Sequence, residues 1–196
     1  MTSRNIPAIL DAMHSSIRRD IAAGFETPDE IVDSVVEVFD DEADAAILRS
    51  HARRMVREIL DVHLREQATW PTPTDCDRLD AAFAALEQAG IVCRQHFSCC
   101  GTCGVAEIWD EMVATRDAGL DVRGYTFYHV QDTESAVEGY GLYLSYGAVE
   151  DGEAPALAIG YEIVAALEQH GLRVDWDGQW SRRIGVALDW KRRCAA

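Results

Sequence analysis

Length, composition and charge exclude several classes of protein before any motif is considered. The 196 residues are 48% hydrophobic and 27% charged, so the chain is long enough to bury a core and too apolar to be disordered. Eighteen basic against 34 acidic residues give a formal net charge of −16, which disfavours nucleic acid and anionic membrane surfaces as partners. The partner class that this charge favours is a basic protein.

Hydropathy along the chain bears on where the protein resides. No apolar run reaches the roughly 18 residues of a transmembrane helix, and the first ten residues lack the apolar core of a signal peptide. The sequence therefore predicts a soluble, cytoplasmic protein that does not associate with membranes. In that compartment we expect the six cysteines to be reduced or bound to a metal.

The first 70 residues have the apolar period of packed helices. One apolar row, at spacings of three and four, consists of Ile6, Leu10, Met13, Ile17 and Ile21. Residues 27–30 have the form of a capping box, which predicts a second helix, and the acidic residues 40–44 precede a third. Two prolines within Trp70–Pro73 then end the helical pattern. We predict a helical region over 1–70 and a second domain over 71–196.

The second domain alternates strands with helices after an initial helix that ends at Gly90. The predicted order is a strand at 91–97, a helix from 105, strands at 124–130 and 139–149, a helix at 155–170, and strands at 172–176 and 184–188. This order matches the ferredoxin-like βαββαβ arrangement with one extra strand. The predicted fold class is therefore α+β.

Three cysteines lie within five residues, between a strand end and a helix start. Cys100 and Cys103 have the C-x-x-C spacing at which two thiolates reach one ion, and Cys99 adjoins them. Thiolate ligands favour zinc, and no second cysteine pair indicates an iron–sulfur cluster. A closed zinc site needs four ligands. The further candidates are Cys93, His96, His129 and His170.

His129 is the candidate that strand order favours. In the predicted arrangement the first and second strands are parallel, so the cysteine loop and His129 follow strand ends at the same edge of the sheet. We therefore expect a zinc site formed by Cys99, Cys100, Cys103 and His129. If water held the fourth position instead, the site would be catalytic, with Asp132 or Glu134 as a candidate base. Asp132 is equally suited to cap a short helix.

Two other interpretations of the cysteine loop remain open. Cys100 and Cys103 can form a redox dithiol, because a helix N-terminus stabilises a thiolate there. Alternatively, the three cysteines are small, half-buried side chains without chemistry. In that case the protein is an acidic interaction module of the immunity type, without catalysis.

Motifs from residue 70 onward resemble those of a known family. They are Trp70-Pro71, Thr74-Asp75-x-Asp77-Arg78-Leu79, Phe97-x-Cys99-Cys100-x-x-Cys103-Gly104 and Tyr128-His129-x-Gln131-Asp132-Thr133. In this order they resemble an uncharacterised bacterial family, frequent in actinobacteria and known only as a domain of unknown function. The resemblance supports the cysteine loop as the site and implies no reaction.

Overall fold

The structure, a computed structural model, describes residues 6–194. The chain forms two compact units, the first running to Pro71 and including the residues from Lys191 onward, the second spanning Thr72–Trp190. The predicted second domain, 71–196, thus includes terminal residues that lie in the first unit. That the two parts are separate domains stays a prediction. Along the described residues, no helix combines the length and the apolar character needed to cross a membrane.

Three helices build the first unit, namely α1 (Ile6–Ala23), α2 (Pro28–Phe39) and α3 (Ala45–Gln67). The predicted capping box is present, since Thr27 accepts the Glu30 N–H and the Glu30 carboxylate accepts the Thr27 N–H. The apolar rows of α1 and α3 meet in the core, where Met13 and Ala52 are fully buried. The acidic segment 40–44 precedes α3, and its Asp44 carboxylate caps this helix by accepting two N–H groups of the first turn.

The residues near 194 complete the core of this helical unit. The Cys194 N–H donates to the Gln67 side-chain oxygen at 2.9 Å, and the Gln67 amide donates back to the Cys194 carbonyl at 3.3 Å. The Cys194 thiol donates to the Ile21 carbonyl at 3.1 Å. Cys194 is therefore bonded to both α1 and the end of α3.

The second unit contains four helices and five strands. They are α4 (Asp75–Gln88), β1 (Ile91–Arg94), α5 (Gly101–Asp117), β2 (Gly124–Phe127), α6 (Val130–Val137), β3 (Leu142–Ala148), α7 (Glu153–Gln169), β4 (Arg173–Asp175) and β5 (Ile184–Ala187). The α+β class, with helices first and a strand-rich second half, is confirmed. The predicted strands extend one to three residues beyond the observed ones at several ends.

The five strands form one mixed sheet in the order β1-β2-β3-β5-β4. β1 and β2 are parallel, and every other neighbouring pair is antiparallel. The strand order differs from that of a ferredoxin-like sheet, beginning with its first βαβ unit. There the βαβ unit is split by a strand between its two parallel members, whereas here β1 and β2 are direct neighbours.

Helices cover both faces of this sheet. α7 approaches the sheet at Gly124, whereas α5 packs over Phe127, and these residues of β2 point to opposite faces because strand side chains alternate. α4 contacts α7 and β1. Helix α5 connects the parallel strands β1 and β2, so it starts at the side of the sheet where both strands end. The cysteine loop lies at this side.

Candidate metal centre

The segment between β1 and α5 is held against the end of β2. The Phe97 N–H donates to the Tyr128 carbonyl at 2.9 Å, and the Val130 N–H donates to the Ser98 carbonyl at 3.2 Å. The buried Tyr128 hydroxyl donates to the Gln95 side-chain oxygen at 2.7 Å. These bonds fix the approach of the chain to the three cysteines.

Two residues of this segment have left-handed backbone conformations. His96 has φ 51° and Ser98 has φ 63°, values that L side chains seldom adopt outside turns and functional sites. Side chains hold both residues, since His96 Nδ1 lies 2.9 Å from Thr133 Oγ1 and the Ser98 hydroxyl donates to Glu107 at 3.2 Å. The tight loop thus depends on contacts with α6 and α5.

The structure brings the three cysteines of the loop together. The Sγ atoms of Cys99, Cys100 and Cys103 all lie within 4.8 Å of one another. Tetrahedral Zn–S bonds of about 2.3 Å would place sulfur atoms about 3.8 Å apart, so this spacing can accommodate one ion. Cys99 is exposed and the other two are half-buried, and all six cysteines of the chain are free thiols.

The thiols at the start of α5 differ in acidity. Cys100 occupies the N-cap position, where the Cys103 N–H, followed by the Cys103 thiol, lowers the pKa of the Cys100 thiol. The thiols of Cys99 and Cys100 raise the pKa of Cys103 to about 11. Of these two thiols, Cys100 therefore ionises first, next to backbone N–H groups of the helix.

Gly104, the glycine of the C-x-x-C-G motif, lets the first turn of α5 pack closely on β2. A Cβ atom at this buried position would lie 2.5 Å from Cε2 of Phe127, far inside van der Waals contact. Gly101 is under no such constraint, because a Cβ there would lie 3.6 Å from the His129 ring. The absence of a side chain at Gly104 therefore serves the packing of α5 on β2.

His129 is the N-cap residue of α6 and lies beside Gly101. Its Nδ1 accepts the Asp132 N–H at 3.3 Å, and its Nε2 lies 3.1 Å from Asp132 Oδ2. Burial lowers the pKa of His129, which favours the neutral ring. Among residues 6–194, no fourth Cys, His, Asp or Glu has a ligand atom within 4.8 Å of all three sulfurs. Ligation by His129 stays a prediction, and it would require the ring to leave Asp132.

The two candidate bases lie on α6. Asp132 is 5% exposed and forms a bidentate ion pair with Arg183, with Oδ1 and Oδ2 at 3.0 and 2.5 Å from the guanidinium. Arg183 also donates to the Tyr143 carbonyl. Both Asp132 oxygens are therefore engaged, which supports a capping and ion-pairing role. Glu134 is half-buried on the same helix, and a base role for either residue stays a prediction.

Cys93 and His170, two further candidates, have hydrogen-bond partners of their own. The Cys93 thiol is buried on β1, where it donates to the Ile91 carbonyl and burial raises its pKa. The His170 Nδ1 atom lies 2.8 Å from the Ala166 carbonyl oxygen, and the residue stands three positions before β4. β4 is four strands from β1, or about 19 Å at the usual strand spacing, so His170 is remote from the loop.

Arg183 is the residue of this region that sequence reasoning missed. It lies 51 residues after Asp132 in a loop between β4 and β5, and no local pattern links the two. The cap at His129 was missed because Asp132 has the residue type that usually caps helices.

A family model described as a domain of unknown function, DUF6891, matches residues 7–194. The match extends over both units, including the helices that the motifs do not reach. No curated protein and no solved structure matches the chain.

Proposed function

Since the chain belongs to the DUF6891 family, a domain of unknown function, we propose its function from the cysteine cluster: Cys99, Cys100 and Cys103 bind one zinc ion. The observation that carries the proposal is the spacing of the three sulfur atoms, which suits a single tetrahedral ion. Thiolates are soft ligands that favour zinc among the common divalent metals of proteins.

The environment of the cluster supports a charged, metal-bound state. The Cys100 sulfur lies at the N-terminus of α5, where unpaired N–H groups stabilise negative charge on thiolates. Three protein ligands leave one coordination position for His129, water or an external ligand. A zinc ion with such an open position supplies Lewis acidity, whereas a closed site supplies folding energy. The reduced thiols that this proposal needs are those expected in the cytoplasm.

Metal content tests the proposal directly. We expect the protein, purified without an affinity tag, to contain one zinc ion per chain by mass spectrometry of the metal. Cys103→Ser should lose the zinc and melt at a lower temperature, because metal-binding energy is also folding energy. Cys194→Ser is the matched control and should keep its zinc. A wild-type protein that neither contains zinc nor takes up one equivalent would contradict the proposal.

A second candidate function is thiol redox chemistry at Cys100 and Cys103. The observation that favours it is their C-x-x-C spacing at a helix N-terminus, with sulfurs within 4.8 Å. Oxidised glutathione would accept two electrons and two protons from these thiols, giving one protein disulfide and two reduced glutathione molecules. A metal-free protein that undergoes this exchange reversibly, with the disulfide mapped to these two residues, would replace the zinc proposal.

A further inference from the structure

Helix α5 carries two apolar rows, of which only one is buried. Ile108 and Met112 pack into the core, following Gly104 at the same spacing. One residue further along, a second row is exposed. We call it the α5 stripe: Val105, Trp109 and Val113, exposed to 45%, 43% and 52%.

The α5 stripe is continuous. Residues four apart are neighbours on a helix surface, so Val105, Trp109 and Val113 form one apolar strip over two turns. Isolated exposed apolar side chains are ordinary in proteins, whereas contiguous apolar patches mark interaction sites. Val105 follows Cys103 by two residues, so the strip starts near the N-terminal end of α5 but on a different side of the helix from the Cys103 side chain.

Charge beside the α5 stripe defines what can bind there. Asp110 and Asp117 lie three and four residues from Val113, so both adjoin the C-terminal end of the stripe, where Arg116 is a third neighbour. Both aspartates are exposed. Arg116 is the only basic residue of α5, and the whole chain carries a net charge of −16. Two carboxylates against one guanidinium beside the stripe, together with the overall negative charge, favour an occupant that combines apolar with cationic side chains.

We propose that the α5 stripe binds a basic, amphipathic protein segment. Its apolar side chains would cover Trp109 and the two valines, and its lysine or arginine side chains would face Asp110 and Asp117. Large aromatic residues are the common anchors of protein interfaces, which makes Trp109 the centre of the contact. The inference does not depend on the metal, because the stripe requires no ion.

A defined peptide pair tests this proposal. The probe is a synthetic amphipathic helix with leucines on one face and lysines on its flanks, and its partner has glutamates in place of the lysines. Isothermal titration calorimetry at physiological ionic strength should show that the lysine peptide binds and that the glutamate peptide does not. Trp109→Ser should weaken this binding at least tenfold, and Asp110→Asn a few-fold. Trp180→Ser replaces a somewhat more exposed tryptophan of the same unit and should leave the affinity unchanged.

Other outcomes would overturn the proposal. Equal affinities of the wild type and Trp109→Ser would do so, as would equal binding of the two peptides. Val113→Ser should also weaken binding of the lysine peptide, and it replaces Trp109→Ser in the test if that variant does not fold. Concentration-dependent self-association that is lost in Trp109→Ser would assign the stripe to a second copy of the chain instead. Zinc content should stay unchanged in all stripe variants, which separates this test from that of the metal site.

Discussion

Cys100 and Cys103 both lie at the start of α5, but the pKa values of their thiols shift in opposite directions. The N–H of Cys103 lowers the pKa of the Cys100 thiol, whereas hydrogen bonds with the thiols of Cys99 and Cys100 raise the pKa of Cys103. One thiol of the pair is therefore prepared to act as a ligand or nucleophile, while the other retains its proton. A metal ion would remove this asymmetry by binding both sulfurs as thiolates.

We predict a difference in alkylation rate between the two thiols in the protein treated with a chelator. At about pH 8, iodoacetamide should modify Cys100 at least about tenfold faster than Cys103, because the larger thiolate fraction outweighs its lower intrinsic nucleophilicity. As the pH rises, the rate of Cys103 labelling should reach half its maximum near pH 11. Mass spectrometry of the labelled peptides gives both rates. Faster labelling of Cys103 would contradict the assignment of charge.

The buried carboxylate of Asp132 makes a second residue-scale prediction. Arg183→Met leaves that carboxylate without its cation, and we expect a loss of about 2 kcal/mol in unfolding free energy. This is less than for a fully buried pair, because the Arg183 side chain is 37% exposed. Arg182→Met is the matched control, since Arg182 pairs with Asp177 at the surface.

Urea denaturation of the two arginine variants decides this prediction. The control should change the free energy by less than about 0.5 kcal/mol. Equal losses in both variants would show that the Asp132 ion pair contributes no more than a surface pair.

At the scale of single residues, proximity in sequence determined what could be predicted. The cysteine cluster was predictable because its three members lie within five residues on one turn. The network of His129, Asp132 and Arg183 was not, because its ion pair joins residues 51 apart and its cap is an uncommon residue type. Only folding brings Arg183 to α6.

Among the helices and strands, α5 is the one whose placement affects the most features of the molecule. Its first turn presents the cysteines, one side packs on β2 through Gly104, and another side exposes the α5 stripe. Small changes in how this helix sits on the sheet therefore move the sulfur atoms and the stripe together.

We predict that Gly104→Ala destabilises the protein by about 1–3 kcal/mol, because the new methyl group would overlap the Phe127 ring. Zinc affinity should fall as well, since Cys103 moves with the same turn. Gly101→Ala is the matched control and should be neutral or slightly stabilising, because its Cβ meets His129 at ordinary contact distance. Melting temperatures and zinc titrations measure both effects. Equal behaviour of the two variants would show that α5 is free to shift.

Helices and strands were predictable because their apolar periods and caps are local. The Thr27 and Thr74 capping boxes appear in the structure where the sequence has them. The order of strands in the sheet was less accessible. Strand sequence order alone does not say whether β1 and β2 are neighbours or enclose a third strand, because pairing depends on contacts between distant segments.

For the whole molecule, we predict that limited proteolysis cleaves first in the connection between α3 and α4. Residues 71–73 are exposed and lie outside both helices, where a protease can bind the backbone. Proteinase K and identification of the fragments by mass spectrometry measure this. Residues 40–44, between α2 and α3, are the second expected site. A first cut within residues 91–130 would contradict the division of the chain.

The hydrogen bonds of Cys194 impose an order of events during synthesis. α1, α2 and α3 leave the ribosome first, but the residues that bond to Gln67 and Ile21 are translated only after the entire sheet. Domains commonly fold as units while the chain grows. The sheet can therefore reach its final contacts before the helical unit can, although the three helices are synthesised before the sheet.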